Sequence, residues 1–389
     1  MSLLFVHDVK ADISNDLVYA RSYGYNIWSE RYLPSFNSMI ICFRTRPTNE
    51  DLHGKVDLST GPNVQFEKRI GMFKGPEVFF NGRIKRIIQE DMAKSDAVIV
   101  RLDSFLGLLT IRECRKINKP YIIELVGCAW DSFWNHGLTG KILAPYLFLR
   151  TRKEVYQAPY VIYVTKAFLQ HRYPTKGLNT NISNVKLTSQ LEADLEERVR
   201  KINCHDGAYT LGTAANVDVK YKGQQYVIKA LGILKKKGIT NYRYQILGDG
   251  DQSFLKRIAE ENGVQQQVQF LGSVSHEKVF EWLRNDVDIY IQPSMQEGLP
   301  RSVIEAMSLG VPCIGSDVAG IPELLDSKWV FNRKKCKELE IAKLLRKMTK
   351  DEMLLQANRN FEEAKLYNFD VLQNRRKSFF ERFISENIK

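Results

Sequence analysis

The chain alternates short apolar runs with helix-like patterns twice over, and this alternation constrains its fold more than any other feature. In the first half, strand-like runs lie at Leu3–Val6, Ser38–Phe43, Asp96–Val100, Tyr121–Leu125 and Tyr160–Val164. In the second half, they lie at Tyr209–Ala214, Tyr242–Leu247, Val268–Leu271, Val287–Gln292 and Val311–Gly315. Buried strands that alternate with helices argue for a parallel sheet with helices on both faces. The sequence therefore predicts an α/β chain with two doubly wound, Rossmann-like domains, and it predicts a loop over the polar stretch Asp8–Asn26.

A charged segment, Leu191–Arg200, separates the two alternations and is followed by a polar link. We therefore predict an N-terminal domain over residues 1–200 and a C-terminal domain over residues 201–367. The last segment, residues 368–389, contains the pattern of an isolated amphipathic helix.

Composition limits the class of protein without choosing the function. The 389 residues include 57 Lys and Arg against 45 Asp and Glu, a net charge of +12, which favours acidic partners such as nucleic acid, anionic lipid or phosphorylated substrates. The six cysteines form no C-x-x-C pair, so no zinc site is expected, and the apolar settings of several of them fit a reducing compartment. With no basic leader and no run of 18 uncharged apolar residues, the sequence predicts a cytoplasmic protein.

One stretch of the second half, Ile291–Glu323, concentrates residues that could carry chemistry. Glu297 and Glu305 stand with seven residues between them. Pro300 precedes a helical pattern that would stop at Gly310, because proline suits a helix start and glycine suits a helix end. The stretch is therefore predicted to run strand, loop, helix, strand.

The amides of Gly298 and Leu299 are predicted to lie at the start of this helix. A helix N-terminus binds anions, because its unpaired N–H groups and the helix dipole point the same way. Phosphate would suit these amides, while the two carboxylates could hold separate sets of sugar hydroxyls.

With its residues Glu297-Gly-Leu-Pro, Glu305-Ala and Gly310-Val-Pro, this stretch resembles the E-x(7)-E signature of retaining, nucleotide-sugar-dependent glycosyltransferases of the GT-B fold. The resemblance implies two Rossmann-like domains that face a central cleft, with a C-terminal helix that crosses back to the first domain. It also implies that Glu305 holds the ribose hydroxyls of the donor and that Glu297 lies against the donor sugar. The alternative is an amphipathic helix with two unrelated surface acids.

The pair Lys222-Gly223, between the first strand and first helix of the second domain, resembles the family's Lys-Gly, in which the lysine pairs with the donor diphosphate. A departing nucleoside diphosphate needs cations or amides directed at it. The family's usual arginine a few residues earlier is absent, and Lys220 is the candidate replacement, although lysine lacks the fork geometry of arginine. The alternative for Lys222 is a solvated lysine before a helix.

Two further loops are candidate donor contacts. Gly248 follows a strand and begins a Gly-x-Gly that could equally be a tight turn. Leu271-Gly272 also follows a strand, and in the family the backbone of this loop touches the base. The resemblance implies no metal and no cofactor apart from the nucleotide sugar itself, because lysine and helix amides take the place of a metal.

In the first domain, residues 126–137 are predicted to form a loop past the end of a strand, where open α/β sheets bind ligands. Trp130, Trp134 and Asp131 combine aromatic faces with a carboxylate, which suits a sugar acceptor. The family often places a histidine on the acceptor side at this point, so His136 is a candidate catalytic residue. The alternative is a structural turn that the tryptophans anchor.

The window from Lys141 to Lys186 is the most basic part of the chain, and within it Ile142–Val155 has the pattern of an amphipathic helix. Such a face could lie on an anionic membrane surface, to which each basic residue contributes about 1 kcal/mol. The alternative is a solvated helix face.

The resemblance implies a retaining, metal-independent hexosyltransferase that moves a sugar from a nucleotide sugar to a glycan or lipid-linked glycan. The basic first domain suits a place in surface polysaccharide biosynthesis, at the inner face of the cell membrane. A sugar-nucleotide epimerase of the same fold is one alternative. A basic nucleic-acid-binding protein is another, but no nucleic acid is expected because the sequence lacks a recognisable binding motif.

Overall fold

A computed structural model of the chain describes residues 1–134, 137–187 and 191–388, and in it strands and helices alternate in two runs, as the sequence predicts. Contacts divide the chain into two units. The first contains Met1–Ile182 and Gln373–Lys389, and the second contains Ser183–Leu372. No helix in the described ranges has both the length and the apolar character needed to cross a bilayer.

The first unit is built on a sheet with the strand order β4-β3-β1-β5-β6-β7-β8, in which only the pair of β1 with β2 is antiparallel among the described pairs. Its strands are β1 (Ser2–Ser14), β2 (Leu17–Tyr19), β3 (Ser38–Pro47), β4 (Val64–Phe66), β5 (Ala97–Leu102), β6 (Tyr121–Leu125), β7 (Tyr160–Tyr163) and β8 (Leu178–Asn181). Its helices are α1 (Tyr25–Arg31), α2 (Gly82–Ala93), α3 (Phe105–Lys116), α4 (Ala129–Trp134), α5 (Gly137–Tyr156) and α6 (Phe168–Arg172).

The predicted loop over Asp8–Asn26 is wrong. Strand β1 continues past Val6, shifts register against β3, and pairs with it again from Lys10 to Ile13 before it turns into β2. Residues 8–14 alternate polar and apolar side chains, which is the period of a strand with one covered face, and their polar character hid that signal.

The predicted loop over residues 126–137 is also corrected, because most of it is helical. Helix α4 begins at Ala129, and Trp130 and Trp134 lie one turn apart on it. Their rings stack with centroids 5.0 Å apart and planes inclined by 16°. Aromatic side chains at positions i and i+4 meet on one helix face, so this spacing favours the helix over a loop.

The second unit is a doubly wound parallel sheet with the order β11-β10-β9-β12-β13-β14. Its strands are β9 (Tyr209–Ala214), β10 (Tyr242–Leu247), β11 (Val268–Gly272), β12 (Ile289–Gln292), β13 (Cys313–Ser316) and β14 (Val330–Phe331). Its helices are α7 (Glu192–Cys204), α8 (Gln224–Lys236), α9 (Ser253–Glu261), α10 (His276–Asn285), α11 (Arg301–Ser308), α12 (Ile321–Leu324), α13 (Lys337–Lys347) and α14 (Lys350–Ala364). Apolar residues of the strands and of α8, α9, α13 and α14 form its core.

The boundary between the two units lies between Ile182 and Ser183, which is earlier in the chain than the predicted boundary after Arg200. Helix α7 spans that position, and its Arg198 is only 2% exposed. The Arg198 guanidinium donates to the carbonyl oxygens of Leu283 and Val287 at 2.6 and 2.7 Å, so α7 is anchored in the second unit. The charged composition of Leu191–Arg200 suggested a domain boundary, but one of its charges satisfies buried carbonyls.

The last helix, α15 (Phe369–Asn387), returns to the first unit from Gln373 onward. The Phe380 ring is fully buried and lies against Tyr32 and Phe36, with centroids 6.1 and 5.4 Å away. Phe383 packs against Tyr160. The predicted terminal helix is therefore present, and its apolar face completes the core of the first unit.

Candidate functional site

The strand order of the second unit reverses between β9 and β12, which are neighbours in the sheet although β10 and β11 lie between them along the chain. In open α/β sheets, ligands bind beyond the carboxyl ends of the strands at such a switch point. The loop after β9 leads to a 3-10 turn over Lys220–Lys222, and the loop after β12 carries Glu297. Lys220 and Lys222 thus follow one of the two strands that flank the switch point, and Glu297 follows the other.

Lys222 and Glu297 form an ion pair across these two loops. The Lys222 Nζ lies 2.7 Å from the Glu297 Oε1, and the side chains are 23% and 12% exposed. A charge-assisted hydrogen bond at this degree of burial is stronger than one at the open surface. The structure therefore brings together two of the three residues that the sequence assigned to catalysis, and it makes each the partner of the other.

A buried amide holds the Glu297 carboxylate in place. Gln292, at the end of β12, donates through Nε2 to the Glu297 Oε1 at 3.0 Å and to the Ser294 Oγ at 2.9 Å. Its carbonyl oxygen accepts from the hydroxyls of Tyr290 and Ser302 at 3.1 and 3.2 Å. Because both ends of the amide are bonded, its orientation is fixed, and so is the donor that it directs at Glu297.

Glycine allows the two loops to approach closely. Gly223 ends the 3-10 turn with φ +83°, and a Cβ there would lie 2.0 Å from the carbonyl oxygen of Pro293. The amide of Met295 donates to the carbonyl of Tyr221 at 2.7 Å, which fastens the loop after β12 to the same turn. The backbone of these two loops thus places Lys222 opposite Glu297.

Glu305 lies inside α11, where residues 303–308 are all buried, and it is itself 7% exposed. A buried carboxylate needs a partner, and His276 at the start of α10 supplies one, with 3.2 Å between its Nε2 and the Glu305 Oε1. This hydrogen bond raises the pKa of His276, while partial burial and the charge of Arg301 act in the opposite direction. The Glu305 carboxylate is therefore already positioned by a side chain that donates to it.

Gly298 and Leu299 immediately precede α11, whose N-cap is Pro300. They lie just before the first helical turn and not within it. The predicted position of their amides at the helix start is therefore a few residues too early in the sequence. The carbonyl of Gly298 accepts from the amide of Gly320 at 2.9 Å, which ties this loop to the one after β13. The amides of the first turn of α11 begin at Arg301.

The other predicted donor residues surround the ends of β9, β10 and β11. The Lys220 Nζ stands over the Phe254 ring, 4.8 Å from its centroid. The Gly248 amide donates to the carbonyl of Gly272 at 2.8 Å, and Leu271 precedes it in β11. A Cβ on Gly248 would lie 2.1 Å from the carbonyl oxygen of Ala215, so glycine is required where the loops after β9 and β10 touch.

The predicted acceptor-side residues lie in the first unit. Trp130, Asp131 and Trp134 are on α4, and the Lys141 Nζ lies 5.9 Å from the centroid of the Trp134 ring. Each tryptophan presents one ring face to the other, so that face is not available to a sugar. His136 lies outside the described residues.

Three functional candidates were missed by reasoning from the sequence, namely His276, Gln292 and Tyr290. His276 follows a Ser at a helix start, and nothing in its spacing connects it with Glu305, 29 residues later. Gln292 and Tyr290 lie two residues apart in β12. In the sequence this strand spacing indicates that the two side chains pack on one face, and it does not reveal the hydrogen bond between them. Within residues 1–134, 137–187 and 191–388, no group of three or more His, Cys, Asp or Glu side chains could hold a metal ion.

Part of this chain matches a known protein family, and several known proteins are similar to it in sequence. Residues 197–365 match the family described as glycosyl transferases group 1. Protein CapJ of Staphylococcus aureus is 32% identical over 394 residues, which cover 99% of this chain and 97% of CapJ. The amylovoran biosynthesis glycosyltransferase AmsK of Erwinia amylovora is 33% identical over 112 residues, 27% of each chain.

The fold has a counterpart among solved structures. Anabaena HepE, solved in complex with UDP-glucose, superposes with a TM-score of 0.64 at 15% identity, over 98% of this chain and 100% of HepE. The chain has two α/β units, each built on a mainly parallel sheet, and a terminal helix that returns to the first unit. This is the GT-B architecture. This chain belongs to the group 1 glycosyltransferases and has their GT-B fold.

Proposed function

We propose that this chain is a retaining glycosyltransferase that moves a sugar from a nucleotide-sugar donor to a glycan or lipid-linked glycan, without a bound metal. The ion pair of Lys222 and Glu297 at the switch point of the second unit carries this proposal. It places a cation and a carboxylate 2.7 Å apart where a leaving diphosphate and a sugar ring would meet. The UDP-glucose bound to HepE supports a nucleotide sugar as the donor class.

Each residue has a proposed role in the reaction. The bond between the anomeric carbon and the diphosphate oxygen breaks, and the acceptor oxygen bonds to the same face of that carbon while its proton leaves with the diphosphate. Lys222 stabilises the negative charge that develops on the leaving group, and Glu297 stabilises the positive charge on the sugar ring. Glu305, held by His276, accepts hydrogen bonds from the ribose hydroxyls.

The acceptor is proposed to belong to surface polysaccharide assembly at the inner face of the cell membrane. The name of AmsK, a glycosyltransferase of amylovoran biosynthesis, supports this setting, and the basic window of the first unit suits an anionic surface. Trp130, Trp134 and Asp131 are the proposed acceptor contacts, with His136 as a further candidate.

The test begins with a thermal-shift screen of nucleotide sugars, in which a donor at 100 times its dissociation constant stabilises the protein by about 2.7 kcal/mol. The donor that binds is then incubated with lipid-linked and soluble glycans, and the anomeric configuration of the product is read by NMR. Transfer with retained configuration, unchanged by a chelator, is expected. An inverted product would contradict the mechanism, and conversion of the nucleotide sugar without any acceptor would indicate an epimerase.

A further inference from the structure

Helix α5 of the first unit exposes a row of apolar side chains. Ile142, Tyr146 and Leu149 are 76%, 54% and 64% exposed. They follow one another at four and three residues, so they lie on one face of the helix. The opposite face, with Ala144 and Leu147, is buried in the unit. Single exposed apolar residues are ordinary, but three on one face of one helix form a contiguous patch.

Cations flank this apolar row at both ends. Lys141 precedes it, and Arg152 and Lys153 follow it on the exposed side. The one acid of α5, Glu154, is buried and paired with Arg150 at 3.0 Å and with Arg115. The exposed face therefore presents apolar and basic groups and no carboxylate of its own helix.

An exposed aromatic residue at the C-terminal end of α5 is also associated with a cation. Tyr156 is 42% exposed, and the Lys176 Nζ stands 4.9 Å from the centroid of its ring. A tyrosine with a lysine beside it suits the boundary between headgroups and acyl chains, because the ring is apolar and the hydroxyl and ammonium remain hydrated.

We infer that this face of α5, defined by Ile142, Tyr146 and Leu149 with Lys141, Arg152 and Lys153, docks on an anionic bilayer surface. The three apolar side chains enter the boundary between headgroups and acyl chains, and the cations contact lipid phosphates. An interfacial helix combines these two features, an apolar face and basic flanks. Charge complementarity distinguishes this occupant from a second protein, which would have to cover the apolar row and supply acids at both ends.

Docking of α5 would make the proposed membrane setting specific to one helix face. It rests on the proposed function only in that the acceptor lies at the membrane. A surface bound by charge alone would lose its attraction as salt screens it. Inserted side chains retain part of the binding at high salt, because apolar burial is insensitive to screening. Salt-resistant binding is therefore the observation that separates the α5 face from a merely basic surface.

The experiment measures sedimentation of the full chain with vesicles of phosphatidylcholine and phosphatidylglycerol, and with vesicles of phosphatidylcholine alone, at low and high salt. Three proteins are compared with the wild type. The first carries Ile142→Ser and Leu149→Ser. The second carries Lys141→Glu, Arg152→Glu and Lys153→Glu, and it leaves Arg150 intact because Arg150 pairs with the buried Glu154. The matched control carries Leu339→Ser and Leu355→Ser, which are 52% and 63% exposed in the second unit.

The wild type is expected to bind the anionic vesicles and to keep measurable binding at high salt. The serine variant should lose at least about tenfold in affinity and all of the salt-resistant part. The charge-reversal variant should lose most binding at low salt, and the control should match the wild type. Circular dichroism and nucleotide-sugar binding are measured on the same proteins, so that a failure of the donor site is seen separately from a failure of the α5 face.

Equal vesicle binding by the serine variant and the wild type would overturn the inference, and so would a wild type that ignores anionic vesicles at low salt. Sedimentation equilibrium supplies another contrary outcome. If the wild type is a dimer that Ile142→Ser and Leu149→Ser dissociate, and neither protein binds vesicles, the face joins two copies of the chain instead.

Discussion

At the scale of single residues, the functional side chains of the second unit are arranged as interacting pairs. Glu297 is joined to Lys222, and Glu305 is joined to His276. In both pairs the carboxylate is the more buried member, and its partner is the more exposed one. Substitution of either member therefore also changes the environment of the other, and a mutation must be interpreted with its partner in view.

The first prediction concerns the pair of Lys222 and Glu297. Glu297→Gln should lower the rate of transfer by roughly 10²–10³, if its charge stabilises the transition state as strongly as an oxyanion-hole donor does. The same variant should keep or strengthen the binding of the free nucleoside diphosphate, because Glu297 no longer competes with the phosphates for Lys222. Lys222→Met should weaken diphosphate binding and also lower the rate. Calorimetry and single-turnover transfer measure the two effects.

The control for this prediction is Lys236→Met, which removes an exposed lysine of α8. It should leave diphosphate binding and the rate unchanged. The double variant Lys222→Met with Glu297→Gln shows how much of the effect of Lys222→Met comes from the unpaired carboxylate. A wild-type transfer rate in Glu297→Gln would remove Glu297 from the chemistry.

The second prediction is a pH dependence that arises from His276. Its hydrogen bond to Glu305 raises its pKa above the usual 6.5, and the other charged groups that act on it are Arg301 and Glu277. Since the folded state binds this proton more tightly than the unfolded state, the stabilisation is complete below the unfolded pKa and is lost as pH rises through the folded pKa. The gap in unfolding free energy between the wild type and His276→Gln should therefore be larger at about pH 6 than at about pH 9.

NMR titration tests the cause of this shift. The pKa of His276, assigned by the signal missing in His276→Gln, should fall in Glu305→Gln, because a neutral amide favours the imidazolium less than a carboxylate does. An unchanged pKa in Glu305→Gln would show that Glu305 is not the partner of His276 in solution.

At the scale of elements, strands and helices with regular periods could be predicted from the sequence, and elements whose signal is masked by polar residues could not. The bounds of β6, β9 and β10 are confirmed to the residue. The extension of β1 and the short helix α4 were predicted as loops because their residues are polar or aromatic. Polar composition is only a correlate of loops, while the period of the side chains is set by backbone geometry.

The candidate site shows the same limit at the level of elements. Glu297 and Glu305 were singled out by their spacing in the sequence, and Lys222 by its place between a strand and a helix. The side chains that hold them, Gln292 and His276, come from neighbouring elements and are joined to them only by the fold. Sequence spacing carries no signal for contacts of this kind.

The third prediction concerns the turn between β9 and α8. Gly223→Ala places a Cβ 2.0 Å from the carbonyl oxygen of Pro293 in a left-handed backbone conformation. The variant should lower the free energy of unfolding by about 1 kcal/mol for the conformation and by roughly 1–3 kcal/mol more for the overlap. It should also weaken diphosphate binding, because Lys222 is displaced. Urea denaturation and calorimetry measure these changes.

Gly238→Ala is the matched control for this prediction. Gly238 has φ +76°, close to that of Gly223, but its Cβ would meet nothing within 4 Å. It should show only the conformational cost and unchanged diphosphate binding. Equal losses of stability in the two variants would mean that the close approach of Gly223 to Pro293 does not exist.

At the scale of the whole molecule, the first unit is assembled from two separate segments of the chain. Residues from Gln373 onward complete a core that begins at the other end of the sequence. The unit therefore lacks part of its core until the rest of the chain has been made.

The fourth prediction tests this dependence. Phe380→Ala removes a fully buried ring that contacts Tyr32 and Phe36, and it should lower the stability of the first unit by about 3–5 kcal/mol. Val371→Ala, at a 39% exposed position of the same helix, should change stability by less than about 0.5 kcal/mol. Hydrogen exchange, followed separately for peptides of the two units, should show loss of protection in the first unit. Equal protection in both variants would mean that α15 does not contribute to that core.

We propose that the switch point of the second unit binds a nucleotide sugar, with the ribose on Glu305. The most direct measurement is calorimetric titration of the donor found by screening into the wild type, Glu305→Ala and the control Glu260→Ala, which removes an exposed carboxylate of α9. We expect Glu305→Ala, still folded by circular dichroism, to weaken binding by roughly 1.5–3 kcal/mol, or about tenfold to 150-fold, while Glu260→Ala binds like the wild type. Wild-type affinity in a folded Glu305→Ala protein would contradict it.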